Sequence, residues 1–193
     1  MSTREKILAA ARKTFDRHGI DGLSLRDVAA KVGITPMAIY RHFDSKEALV
    51  DALVLDALAD WSARVAALPA AEGVAKIEQL SEAFLDFALR EPRRFEAAFL
   101  LPSRKARRYP DDFAAGRSPA GNVQLKALEE GIRQGKLAGA PPVEIMLINS
   151  ALSQGLVTLY RAGRIAGGEA EFRALYARAM RRVFQSFMVE KSR

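Results

Sequence analysis

SLRDVAAKVGITPMAIYRHFDSKEAL, residues 24–49, is the stretch on which the fold turns. Leu25, Val28, Ala29 and Val32 recur at helical spacing, and Ser24 with Asp27 has the spacing of an N-terminal capping box. Gly33 stops that helix. Thr35 can cap another, with Pro36 at its first position, where a missing N–H costs nothing. This helix ends near Phe43 and is too short to hold by its own propensity. Ile39 and Phe43, four residues apart, are the side chains that can anchor it. Thr35, Pro36, Met37, Tyr40 and Arg41 are then left on its outer face.

Two short helices about a glycine-containing turn make a helix-turn-helix. The second helix of that motif is the one placed in the DNA major groove. The side chains suit the task. Arg41 can reach a phosphate or the O6/N7 edge of guanine. Tyr40 can donate to a phosphate or lay its ring on a sugar or thymine methyl. Pro36, Met37 and Ala38 offer only apolar contact, for which thymine methyls are the obvious partners. Thr35 and Ser24 place hydroxyls at helix N-termini, where phosphates bind well. Lys46 opens the next helix, where a cation opposes the helix dipole and a DNA phosphate would justify it. His42 can pack beneath the short helix, contact a phosphate, or do both.

The pattern stays helical outward from this motif. A first helix is expected from Thr3 to His18, with Ser2 and Glu5 as its capping box and Gly19 as its stop. Asp44 or Ser45 caps a long fourth helix reaching Ala67 or Leu68. A fifth covers Val74 to Arg90, and Pro92 opens a sixth that ends before Pro102. Residues 102–121 carry most of the loop signals in the chain. Helices then follow at Asn122 to Gln134, Pro142 to Arg164 and Glu169 to Phe187. The expectation is an all-α fold of about nine helices. Residues 1–47 would be the helix-turn-helix domain, and 48–193 a helical bundle for effector binding and dimerisation.

Composition bounds the function. The chain has 193 residues, no cysteine and a formal net charge of +7. That length suits one domain or two small ones. Lack of cysteine removes disulfides, thiol nucleophiles and cysteine zinc sites. The positive charge favours a polyanionic partner, yet residues 102–193 hold sixteen Lys/Arg against eight Asp/Glu, so charge alone does not point to the N-terminus. The start shows no signal peptide. EIMLINSALSQGLVTLY, residues 144–160, is broken by Asn149, Ser150, Ser153 and Gln154 and falls short of the roughly 18 apolar residues of a membrane span. No catalytic triad order, phosphate loop or metal-ligand cluster is present, so neither an enzyme nor a cofactor is expected.

The run LSLRDVAAKVGITPMAIYRHFDSKEALVDAL (23–53) closely resembles the DNA-binding segment of TetR-family transcriptional regulators, and the likeness spans about residues 3–60. It is carried by Phe15, Gly19, Gly33, Tyr40, His42, Phe43, Ser45, Lys46 and Leu49 together. The resemblance implies DNA contacts at Ser24, Arg26, Thr35, Pro36, Met37, Tyr40, Arg41, His42 and Lys46. It also implies a cytoplasmic, all-helical homodimer that binds double-stranded operator DNA, with a C-terminal domain for a small-molecule effector. NSALSQGLVTLYRAGRI (149–165) is similar to family members with a Trp-x-x-x-His-Gly pattern in a late helix. Gln154 stands where that histidine would be, and the aromatic is missing, so no ligand role is carried over.

Candidate pocket residues are Trp61, Phe84, Phe87, Phe99, Phe113 and Tyr160, most of which also suit an ordinary core. Candidate dimer residues are Ile148, Ala151, Leu152, Gly155, Leu159, Tyr176 and Met180, on helices that could equally pack within the chain. The basic C-terminal half favours an anionic or acyl-type effector. The leading expectation is a ligand-released repressor. A ligand-independent regulator or an activator would carry the same helix-turn-helix.

Overall fold

A computed structural model describes residues 1–189 of the chain. Ten α-helices follow in order: α1 Thr3–His18, α2 Leu25–Val32, α3 Pro36–Ile39, α4 Lys46–Ala66, α5 Gly73–Arg90, α6 Pro92–Phe99, α7 Asp111–Ala114, α8 Pro119–Arg133, α9 Pro142–Arg161 and α10 Glu169–Gln185. The all-α expectation holds, with one helix more than the nine expected. The addition is α7, a single turn inside the segment read as loop, with Asp111 and Asp112 in its first turn. Residues 118–121 were also read as loop. There α8 starts early, because Ser118 accepts the Gly121 N–H at 3.2 Å and Pro119 takes the first helical position.

The chain forms two compact units. The first joins residues 1–61 to 91–106; the second joins 62–90 to the residues from 107 onward, and the division falls within α4, after Trp61.

In the first unit, α1 holds through its capping box: Ser2 accepts the Glu5 N–H, and the Glu5 carboxylate accepts the Ser2 N–H at 2.7 Å. Ile7, Ala11 and Phe15 form its buried stripe, against which Leu23, Val28, Ile39, Phe43, Leu49 and Leu53 complete a core. Thr14 is buried too. Its hydroxyl donates to the Ala10 carbonyl at 2.9 Å and accepts from the Lys31 ammonium at 2.7 Å, tying α2 to α1. The segment 91–106 closes this unit. Phe95 is fully buried, 5.3 Å from Phe99, whose ring in turn lies edge-on to Trp61 at 6.1 Å. Arg94, buried beside it, bonds Asp60 and lies 2.9 Å from Asp56, and both carboxylates also meet Arg12 of α1. Two guanidiniums against two carboxylates leave this partly buried group neutral, which is the condition for tolerating charge there.

Two glycines fix the path between these helices for different reasons. Gly33 ends α2 in the left-handed region at φ 77°, with open space around it. Gly22 needs no unusual φ, but a Cβ there would sit 2.3 Å from His18 Cβ and 3.0 Å from the His18 carbonyl oxygen. Gly22→Ala must therefore push the α1–α2 turn apart and costs about 1–3 kcal/mol. Gly33→Ala pays only conformational strain, about 1–2 kcal/mol. Urea unfolding of the two variants at one pH checks the pair; equal stability of Gly22→Ala and the parent protein would count against the contact.

Asp51, on α4 and 7% exposed, is the second buried acid-bearing site of this unit. Its Oδ1 accepts from the Ser103 hydroxyl at 2.7 Å and from the Arg104 N–H at 3.1 Å, while the Arg104 guanidinium lies 3.4 Å from Oδ2. The Ser103 bond foremost, against the opposing cost of burial, holds the carboxyl below its ordinary value. The linkage is that of a depressed acid. The added stability is complete above the ordinary Asp range, about pH 4, and is lost as pH falls through the lowered folded value. Ser103→Ala should raise the Asp51 pKa, read by carboxyl carbon NMR, and shift acid unfolding to higher pH.

In the second unit, Ile77, Ala127, Leu128, Leu137, Ile145, Met146 and Phe184 form one core, with Val74, Phe113 and Phe187 packed at its edge. The Arg64 guanidinium lies over the Phe87 ring at 5.1 Å. Residues 187–189 are held against residues 136–138 by two backbone bonds. Ala138 donates to the Phe187 carbonyl at 2.8 Å, and Val189 donates to the Lys136 carbonyl at 3.1 Å.

Candidate nucleic-acid interface

The outer face of α3 is assembled from local rules. Gly33 turns the chain, and Ile34 N–H returns to the Ala29 carbonyl at 3.0 Å. Thr35 is extended, and its hydroxyl accepts the Ala38 N–H at 3.2 Å, with Pro36 in the first helical position. The helix proper ends at Ile39, earlier than expected; Tyr40 to His42 continue as turn, with Phe43 N–H bonded to the Ile39 carbonyl at 3.0 Å. Ile39 and Phe43 are buried, as their spacing required, and the Arg4 guanidinium covers the Phe43 ring at 4.7 Å.

Anchoring those two turns the rest outward. Met37 is 74% exposed and Tyr40 47%. Thr35, Pro36, Arg41 and Arg26 are exposed as well, while Ser24, His42 and Lys46 are half-buried. A bare methionine and tyrosine beside an arginine form a surface with apolar contact, hydroxyl donation and guanidinium chemistry within one turn. Major-groove base edges and their phosphates are matched by that set.

Two half-buried residues are already engaged within the chain. The Ser24 hydroxyl accepts the Asp27 N–H at 3.5 Å as the cap of α2. The Lys46 ammonium donates to the Ile20 carbonyl at 3.3 Å. That carbonyl supplies an internal reason for a cation in the first turn of α4, where the sequence suggested only a phosphate. Ser45, not Asp44, caps α4 by accepting the Ala48 N–H at 3.2 Å.

Two family profiles match the chain. The profile of bacterial regulatory proteins of the tetR family matches residues 7–53. The tetracyclin repressor-like C-terminal domain matches residues 77–183, more than half of the chain. The chain belongs to the TetR family. TetR-family proteins are DNA-binding transcriptional regulators. Among curated relatives of this TetR-family chain, the uncharacterized HTH-type transcriptional regulator YobS of Bacillus subtilis (strain 168) is 28% identical over 51% of this chain and 52% of its own length. The Escherichia coli tetracycline repressor protein class D is 43% identical over 29% of this chain and 26% of its own. The chain thus spans about half the length of the first relative and a quarter of the second. A TetR-family regulator from Pectobacterium atrosepticum superposes with a TM-score of 0.72 at 24% identity, covering 98% of this chain and 96% of that one. That likeness shows the fold.

The other expected site residues of this TetR-family chain fall as follows. Trp61 and Phe99 pair with each other in the first unit. Phe84, Phe87, Phe113 and Tyr160 belong to the second, where Tyr160 stacks on Phe172 at 4.0 Å and Phe113 lies 6.3 Å from Tyr109. Ala151, Gly155 and Leu159 are exposed on α9, with Ile148 and Leu152 half-buried; Met180 is half-buried on α10. Tyr176 is turned inward instead. It is buried, its hydroxyl bonded to Ser153 at 3.0 Å and to the Ser81 carbonyl at 3.2 Å, which removes it from the outer face on which it was expected. By length and composition alone α9 does reach the size of a membrane span, at a mean hydropathy of 1.2, with 28% of its most apolar window buried. No group of three or more His, Asp or Glu side chains placed to hold a metal occurs among the described residues.

One inward pair was missed. Asn149 and Ser153 lie one turn apart on α9, on the buried face otherwise made of Ile145, Met146 and Val157. The sequence signal was present, since both residues interrupt an apolar stripe, but it was read only as a break in a hydrophobic run.

Proposed function

We propose that this regulator is a homodimeric repressor that reads a palindromic operator and is released from it by a small-molecule effector. Residues 1–47 read DNA, and residues 48–193 serve dimerisation and effector binding. DNA contacts come from Thr35, Pro36, Met37, Tyr40 and Arg41 of the outer α3 face, flanked by Ser24, Arg26, His42 and Lys46. The observation that carries this is the exposure of Met37 on α3 and of Tyr40 and Arg41 on the turn that continues it, both anchored by buried Ile39 and Phe43.

The dimer face is the outer side of α9, through Ile148, Ala151, Leu152, Gly155 and Leu159, while the Met180 sulfur of α10 faces inward to Ser153. Leu147 and Leu159 are exposed there at 38% and 42%, and a Cβ added at Gly155 would meet nothing within 4 Å. An apolar, mostly uncovered helix with small residues suits close approach by a second copy. A twofold pair sets its reading helices about 34 Å, one helical turn, or a multiple apart. Effector contact is assigned to the expected aromatics of the second unit, Phe84, Phe87, Phe113 and Tyr160. Effector favours a state whose spacing no longer fits the operator, and DNA and effector affinities are then reciprocally linked. The protein acts in the cytoplasm, where its operator lies.

Affinity selection of fragmented genomic DNA tests the reading. One enriched palindrome, bound by a dimer in sedimentation and released by a compound that raises thermal stability, is the expected result. Enrichment of no sequence, or binding by a monomer, would overturn it.

A further inference from the structure

Asn149 carries the observation. It sits in the middle of the inward face of α9 and is 3% exposed, yet neither its amide oxygen nor its amide nitrogen has a hydrogen-bond partner. A buried polar group without a partner is a net cost to the fold, whereas a paired one is not. Natural interiors rarely keep such a group without a use for it.

The neighbourhood is polar in a specific way. One turn along, the Ser153 hydroxyl bonds the Tyr176 hydroxyl at 3.0 Å and lies 3.4 Å from the Met180 sulfur. The Tyr176 hydroxyl also lies 3.3 Å from the Ser81 hydroxyl and 3.2 Å from its carbonyl. So α5, α9 and α10 converge on a set of hydroxyls whose partners are each other. Burial, against the opposing bonds to Ser153 and Ser81, raises the Tyr176 pKa, which keeps that hydroxyl neutral. Among the described residues of this unit, no Asp, Glu, Lys or Arg is buried. An ion brought here would lose its hydration without a buried counter-charge to replace it.

We infer that Asn149 is the polar anchor of the effector site, and that the effector is an uncharged molecule presenting a hydrogen-bond donor beside an acceptor, as a lactam or primary carboxamide does. The inference rests on the ligand-responsive reading above. An amide accepts and donates side by side, and only a ligand that does the same satisfies both atoms at once. Ile145, Met146 and Val157 on the same face select an apolar body behind that polar edge. The basic composition of the C-terminal half does not argue for an anion, because its charges are not in this interior.

The test begins without a ligand. Leucine matches the branched shape of asparagine, so Asn149→Leu removes the unpaired amide. It is expected to raise Tm by about 2–8 °C. A fall in Tm would mean that the amide is satisfied in the folded protein, and would overturn the proposal. The parent protein and Asn149→Leu are then screened by thermal shift against a panel of apolar lactams and carboxamides and a panel of fatty carboxylates. Neutral amides that stabilise the parent but shift the variant at least tenfold less, by dose, are the expected result. Carboxylates as the stabilising class, or amides acting equally on both proteins, would overturn the assignment of Asn149 while leaving ligand response intact. If neither panel shifts the parent, while a known operator stays bound throughout, ligand response itself falls, and this inference with it.

Discussion

Replacing Tyr40 and Arg41 by alanine is expected to remove sequence-specific DNA binding while the fold persists. Each base contact of good geometry contributes about 1–3 kcal/mol of discrimination, so losing two per reading helix weakens specific binding by roughly two to four orders of magnitude. The folded state should hardly notice. Both residues are exposed at the end of α3, and the side chains that anchor the helix are Ile39 and Phe43. Surface changes of this kind move stability by about 0.5 kcal/mol or less. Anisotropy titration of the selected operator, at one fixed salt concentration, reads the loss. Arg41→Lys then separates two roles. A lysine can hold a phosphate, but it cannot reproduce the planar fork on guanine O6 and N7. Full affinity in Arg41→Lys would assign Arg41 to the backbone; a loss close to that of Arg41→Ala would assign it to a base. Unchanged binding in the double alanine variant would remove α3 as the reading helix.

Phe95→Ala is expected to cost the protein about 3–5 kcal/mol, the range for emptying a fully buried aromatic site. That is a large share of the roughly 5–15 kcal/mol that holds a folded protein together. The ring has no exposed surface and stands beside Phe99, which leans on Trp61. Arg94 next to it neutralises Asp56 and Asp60, so disturbing α6 also loosens the ion group that reaches Arg12 on α1. Thermal unfolding should fall by about 6–20 °C. DNA binding should survive in the cold and fail on warming well before that of the parent protein. Phe95→Leu, which refills most of the volume, should recover more than half of the loss.

What the sequence disclosed follows the range of the forces involved. The capping box of Ser2 and Glu5, the caps at Ser24 and Thr35, Pro36 at a first helical position and the four-residue spacing of Ile39 and Phe43 are all features within five residues, and each was legible. The helix periods gave the fold class because apolar spacing survives in any packing arrangement. The single turn α7 and the early start of α8 were hidden by Pro and Gly, which read as loop even where Ser118 and Pro119 spell a helix start. The long-range groups left no local trace. Arg94 meets Asp60 across 34 residues and Ser103 meets Asp51 across 52, and no spacing rule connects them. For the same reason the sequence assigned Tyr176 to an outer face, since helical period shows that a face is apolar and not which neighbour covers it. The exposed α3 side chains stood out through their chemistry, because apolar and aromatic groups on an otherwise polar surface have a use to explain.

The segment 91–106 belongs to the same compact unit as α3, although residues 62–90 of the other unit lie between its two pieces in the chain. This has a practical meaning for anyone re-engineering which gene such a protein controls. Swapping only the first fifty or sixty residues between relatives would import a helix-turn-helix whose Arg12, Asp56 and Asp60 meet a foreign α6. A chimera that carries both pieces, joined through the recipient's own α5, preserves the native charge balance and the Phe95 socket. If α3 reads DNA as proposed, such a two-piece graft, not the contiguous N-terminal block, is the expected transferable cassette of specificity.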